Sequence, residues 1–149
     1  MQTEPQAMRR WYYFLIKYSK GNNVIAPGLF IAGTEKMGKG VFTSVAITAG
    51  SVIEIAPVIV MSEKERKLLD QTLLHDYIFE WGVAGQCAMA LGWVPVYNHS
   101  YTANCDYEMD YSTNSIAIQT VRDIGSGEEL FINYGGSWDE QKPVWFDTK

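Results

Sequence analysis

Apolar and β-branched runs of only a few residues follow one another from residue 28 onward. GLFIAG, GVFTSVAI, SVIEI and VIVM are separated from one another by Gly, Thr or Pro. Runs this short, bounded by turn formers, suit strands and leave no room for long helices. YIFEW and QCAMAL continue the pattern, and DYEMDY and NSIAIQTV flank STN as a hairpin. In NSIAIQTV, the alternation puts Ile116 and Ile118 on one face. One helix is predicted. Ser62 with Glu65 three residues later forms a capping box ahead of RKLLDQTLLHDY, which places a helix near 63–75. Leu69 and Leu73, four apart, would share a face of it. VAITAGSVIEI and VRDIGSGEELFI resemble each other, but two such units make no solenoid. The chain therefore reads as mostly β, with several short strands, one inserted helix and a knot of polar loops.

At 149 residues, 47% of them hydrophobic, the chain has the size of one domain with a core of its own. A net charge of −5 argues against direct nucleic-acid binding, which needs a basic face, and favours a basic partner. Two cysteines make no disulfide framework, so a reducing compartment is the simpler expectation. WYYFLI near the N-terminus is too short for a membrane span, and Lys17 interrupts the run. It reads as a strand or an apolar anchor, with no membrane association expected.

Two motifs invite chemistry they do not support. GTEKMGKG (33–40) approaches a phosphate loop, but Gly40 stands where a hydroxyl must hold magnesium, and a strand pattern follows where a helix is required. What survives is Gly38-Lys39-Gly40, readable as a hairpin turn or as backbone able to approach a ligand closely. His75, Cys87, His99 and Cys105 lack metal-ligand spacing, so no metal is expected. A Cys105–His99 nucleophile pair would make a hydrolase, but a lone Cys is more often a small buried hydrophobe.

YNHSYTANCDY (97–107) concentrates hydrogen-bonding groups after the apolar AMALGWVPV. Taken with GKGVFTSVAITAGSVIE before it and IGSGEELFINYG after it, the order resembles the SET-domain protein lysine methyltransferases, from about Gly28 to Tyr134. The resemblance implies a β-clip fold of small curved sheets with a C-terminal pseudoknot, whose crossing would lie beside residues 97–104. It divides the chain into an N-terminal flank (1–27), a SET domain (28–136) with an insert at about 62–92, and a C-terminal aromatic segment (137–149).

The resemblance also implies S-adenosyl-L-methionine as cofactor. Gly38, Lys39 and Gly40 match the first cofactor motif, and Asn98 and His99 match the Asn-His pair, with Asn104 closing it. Tyr134 matches the active-site tyrosine. Tyr107 falls where the family limits how many methyl groups are added, and a tyrosine there implies low-order methylation. Trp145, or Trp138 or Phe146 in its place, would cover the adenine. The implied partner is a Lys-containing basic protein or peptide, a histone or another nucleic-acid-binding protein; a homodimer stays open. The location would be the cytoplasm in a bacterium, and the nucleus or cytoplasm in a eukaryote or for a delivered effector.

Tyr134 is expected to orient the reactants rather than act as a base, because a phenol near pKa 10 is itself protonated at neutral pH. EIAPV (54–58) departs from the family's E-Y-x-G-E pattern: Glu54 is present, but Ala56 and Pro57 bring no hydroxyl. Asn133 and Tyr101 also differ from the usual residues. A rival therefore remains, a module that keeps the fold and binds cofactor or a basic peptide without turnover.

Overall fold

The computed structural model of the chain describes residues 24–144; WYYFLI, Trp145 and Phe146 lie outside them. Four strands open the described region: β1 (Val24–Ile25), β2 (Leu29–Gly33), β3 (Lys39–Thr43) and β4 (Val52–Met61). A helix, α1 (Glu63–Leu69), and a 3-10 turn (Leu73–Tyr77) lead into β5 (Ile78–Trp81) and β6 (Gln86–Ala90). A second 3-10 turn (Val94–Val96) precedes β7 (Asn98–His99), and β8 (Cys105–Asp110), β9 (Ser115–Thr120) and β10 (Glu129–Ile132) follow.

The strands form two sheets. One runs β5-β6-β4-β9-β8, with β1 also paired to β4; the other runs β2-β3-β10-β7. Burial in β9 alternates strictly, so Ile116, Ile118 and Thr120 face inward together. β10 does the same with Leu130 and Ile132. Ile116, Ile118, Leu130 and Ile132 join Ile53 and Ala56 of β4 and Val41 of β3 in one apolar core shared by both sheets. The hairpin expected around STN is β8–β9. Asp110 Oδ1 accepts the amides of Ser112 and Thr113, and Asn114 takes a left-handed φ of 50°. The two similar segments meet each other: Ile47 and Ile124 exchange backbone hydrogen bonds of 2.9 and 2.8 Å.

The helix is shorter than its sequence suggests. The capping box forms, with Ser62 and Glu65 bonded reciprocally. But α1 ends at Leu69, where the pattern predicts helix to residue 75, and Leu69 and Leu73 do not share a helical face. Thr72 leaves the helical conformation and caps a new turn, its hydroxyl accepting the Leu74 amide at 3.2 Å. None of α1 is buried, so no packing of an apolar stripe opposes that break.

One pairing positions the site. β7 lies parallel to β10, matching Phe131 with Asn98 and Ile132 with His99. Residues separated by more than thirty positions are thus neighbours, and Tyr134 emerges two residues beyond the pair. The chain then turns back across the 98–104 loop. Gln141 Nε2 donates to the Tyr101 carbonyl at 3.2 Å, and the Val144 amide to the Tyr101 hydroxyl at 3.2 Å.

Candidate active site

Asn98 holds two distant segments together. Its Nδ2 donates to the Lys39 carbonyl at 3.1 Å and to Glu129 Oε1 at 2.7 Å. Gly40 makes room for this. A Cβ added there would collide with Glu129 and lie 2.9 Å from Asn98 Nδ2. The close approach that a glycine permits at this position is therefore to the protein's own side chains. Gly38 and Lys39 lie at the turn of the β2–β3 hairpin, where the Thr34 amide donates to the Gly38 carbonyl at 2.6 Å. Gly38 has a φ of +73°, and a Cβ on it would meet nothing within 4 Å. Asn104 completes the edge of β10, donating to the Glu129 carbonyl and accepting the Phe131 amide, both at 2.8 Å.

His99 Nδ1 accepts the Tyr134 amide at 3.1 Å, so this nitrogen carries no proton. Its ring packs edge-on to Tyr101 at 4.6 Å and tilted against Tyr134 at 5.3 Å. Burial holds the imidazole pKa below the ordinary 6.5. The Tyr134 hydroxyl donates to the Tyr97 carbonyl at 2.7 Å. Burial, with Tyr77 and Asp76 adding to it, pushes the phenol pKa up to about 12. Tyr134 is therefore neutral at physiological pH and cannot serve as a base.

The Tyr134 phenol lines a cleft of about 470 Å³ together with Tyr107, Tyr77 and the carboxylates Asp70, Asp76 and Glu80. Tyr107 is half-buried on β8, its ring edge-on to Phe79 at 5.4 Å. Burial, followed by the charge of Asp106, raises its pKa as well. Arg66 offsets part of the acidity, lying 3.1 Å from Glu80 and 3.9 Å from Asp70, while His75 Nδ1 is 2.9 Å from Asp70. Of the expected residues, His99 touches Tyr134 through its Nδ1 and its ring, and Tyr107 lines the same cleft as Tyr134; Asn98 precedes His99 on β7 and is tied to Lys39. Trp145 and Phe146 lie outside the described residues, and Trp138 is largely exposed.

The SET-domain sequence profile matches residues 38–135. The chain belongs to the SET-domain family. It is 36% identical over 127 residues to a Schizosaccharomyces pombe protein named histone-lysine N-methyltransferase, H3 lysine-37 specific, covering 85% of this chain and 82% of that one. Its enzyme class is protein-lysine N-methyltransferase. A Plasmodium falciparum protein assigned as a histone methyltransferase superposes with a TM-score of 0.60 at 26% identity, over 78% of this chain and 100% of that one. A chain of apo ctPRC2 shares the fold at a TM-score of 0.64 and 22% identity, over 74% of this chain and 15% of its own length.

As a SET-domain protein it has no use for Cys105 as a nucleophile. The thiol is buried, and that burial pushes its pKa up to about 12. No group of three or more His, Cys, Asp or Glu among the described residues could hold a metal. No helix among them is long and apolar enough to cross a membrane.

Three contributors to this SET-domain site escaped the sequence reading. Tyr97 offers a main-chain carbonyl, which leaves no trace in residue identity. Glu129 fixes Asn98, and only its place inside GEELFINYG hinted at it. Tyr77 adds a tyrosine to the cleft lining, where EIAPV supplies none.

Proposed function

We propose that this chain transfers methyl groups from S-adenosyl-L-methionine to the side-chain amine of a lysine in a histone-like basic protein, with Tyr134 as the residue that orients the amine. The observation that carries this reading is Tyr134, whose hydroxyl is held by the Tyr97 carbonyl at 2.7 Å and which lines one cleft together with Tyr107. With its proton committed to that carbonyl, the phenolic oxygen is left as an acceptor. Such an acceptor can align a lysine N–H, and alignment of reacting groups can supply on the order of 7–11 kcal/mol at best.

The lysine must reach the site as a neutral amine, although its unperturbed pKa is about 10.4. Asp70, Asp76 and Glu80 draw a basic segment toward the cleft, and the aromatic wall of Phe79, Tyr107 and Tyr134 then strips water from the amine. Desolvation of that kind favours loss of the proton. Tyr107, wedged against Phe79, limits the space left for an amine that already carries methyl groups.

The residues of the β2–β3 turn and of β7 suit the cofactor. Gly38 presents open backbone, and Asn98 and neutral His99 present uncharged polar groups. Gly38, Lys39, Asn98 and His99 would hold it, with Gly40 keeping Asn98 in place and Trp145 covering the adenine. When bound, S-adenosyl-L-methionine supplies an electrophilic methyl group on a cationic sulfur. The 62–92 insert would shape the substrate side, since α1, the 3-10 turn and β5 supply most of the charged cleft wall. A histone-like substrate would place the protein in a eukaryotic nucleus.

The test is methyl transfer from labelled S-adenosyl-L-methionine to Lys-rich histone peptides, read by mass spectrometry. Tyr134→Phe should lower turnover by roughly tenfold or more, with circular dichroism and cofactor affinity unchanged. Undiminished turnover in that variant would mean that the orienting group lies elsewhere. Cofactor binding without transfer by the unmodified chain would favour a binding module instead.

A further inference from the structure

Glu54 is a carboxyl placed where β4 should carry an apolar residue. It is 0% exposed, between Ile53 and Ala56 in the core. A buried carboxyl without a cationic partner is costly and is retained only where it meets specific needs. Its surroundings are neutral. Oε1 accepts the Trp93 amide at 2.6 Å, and the Val94 amide also points to the carboxyl. The Tyr97 hydroxyl meets the same group, though outside ideal hydrogen-bond geometry, and Oε2 has no partner of good geometry. Burial raises the carboxyl pKa, opposed by these hydrogen bonds.

All of these contacts reach one segment, residues 93–97. Val94 and Pro95 of that segment line the cleft, and its last carbonyl, that of Tyr97, accepts the Tyr134 hydroxyl at 2.7 Å. Tyr97 is itself fully buried, so its backbone has little freedom to follow Tyr134 on its own. We propose that Glu54 is a positioning residue for methyl transfer: it clamps the 93–97 turn from beneath, so that the Tyr97 carbonyl holds the Tyr134 hydroxyl in its working orientation. The proposal rests on the reading that Tyr134 orients the amine. An apolar residue of equal size would fill the space but leave the Trp93 and Val94 amides unsatisfied. The clamp therefore depends on the polar head of Glu54 as well as its bulk.

The experiment is a double-mutant cycle on the full chain, with turnover and peptide KM measured on Lys-rich histone peptides. Glu54→Gln keeps the shape but leaves one acceptor oxygen, with an NH2 that cannot accept, for the Trp93 and Val94 amides and the Tyr97 hydroxyl that the two carboxyl oxygens serve. It is expected to lower kcat by roughly tenfold with peptide KM changed less than about twofold. In a Tyr134→Phe background, which has no hydroxyl to hold, adding Glu54→Gln should lower kcat by less than about twofold. A merely structural role would cost the same factor in both backgrounds, and that result would overturn the proposal. So would a Glu54→Gln variant with wild-type kcat. Should Glu54→Gln not fold, Tyr97→Phe in the two Tyr134 backgrounds carries the same test, since it removes the hydroxyl that meets Glu54 but keeps the ring and the carbonyl. Equal losses in both backgrounds, or none, would again overturn it. Loss of turnover in Tyr134→Phe with none in Glu54→Gln would remove this proposal alone. Full turnover in Tyr134→Phe would remove the role of Tyr134 and the clamp with it.

Discussion

A single amide nitrogen at position 133 ties the end of β10 to the segment that crosses back over it. Asn133 is fully buried; its Nδ2 donates to the Glu140 carbonyl at 2.6 Å, and its Oδ1 accepts the Gly135 amide at 2.9 Å. An aspartate could accept from Gly135 but could not donate to Glu140. The asparagine therefore suits this particular return of the chain, one residue before Tyr134. Asn133→Asp should leave the half-buried Glu140 carbonyl unpaired against a buried charge. The expected cost is about 1–3 kcal/mol, or a fall of roughly 2–12 °C in the thermal midpoint. Thermal unfolding at neutral pH reads it directly, and an unchanged midpoint would show that the Glu140 contact is dispensable. Tyr101 is a similar case. Its hydroxyl and carbonyl both anchor the C-terminal segment, while its ring packs on His99.

At the scale of elements, the parallel pairing of β7 with β10 carries the site and also its sensitivity to acid. His99 Nδ1 must stay unprotonated to accept the Tyr134 amide just beyond that pairing. Its pKa in the fold lies below 6.5, so the folded chain binds this proton less readily than the unfolded one. The contribution is fully present above the unfolded pKa and is lost as pH falls through the folded pKa. Glu54 has the opposite sign. Its raised pKa contributes stability below the unfolded value of 4.5 that is lost as pH rises through the folded one. Between pH 7.5 and 5.5 the wild-type thermal midpoint should fall more steeply than that of His99→Gln, which keeps every other titrating group. Parallel curves would rule out His99 as the source.

Much at this scale was legible in the sequence. Period-two alternation announced β9, and Ser62 with Glu65 announced the start of α1, because strand faces and helix caps are set by local sequence. The end of α1 was not legible, because the apolar spacing of Leu69 and Leu73 runs on across Asp70 and Thr72, whose preference for caps over helix interiors is a weak local signal, and no buried face decides the matter. Nor was the Glu54–Tyr97–Tyr134 relay. It runs through a main-chain carbonyl and a register that only the two sheets together define. Of the residues that the family motifs point to, His99 contacts Tyr134 and Tyr107 lines the same cleft, while Asn98 is tied to Lys39 and Trp145 lies outside the described residues.

Over the whole molecule, the charge favours one kind of partner. The chain carries a net −5, and the cleft beside Tyr134 gathers Asp70, Asp76 and Glu80 against Arg66 and His75. A field of this sign concentrates basic peptides near the cleft and speeds their capture, but it does little for the bond-making step, which depends on contacts of a few ångströms. The two effects separate with salt. The screening length is about 10 Å at 0.1 M and about 3 Å at 1 M, so added salt weakens attraction across the surface while sparing close contacts in a desolvated site. Raising sodium chloride from about 0.05 to 0.5 M should therefore increase KM for a Lys- and Arg-rich peptide several-fold and leave kcat nearly unchanged. A peptide with the same target lysine in a neutral context should start with a higher KM and respond little. If both peptides responded alike, the acidic cleft wall would have no part in choosing the substrate, and selection would fall to the shape of the groove alone.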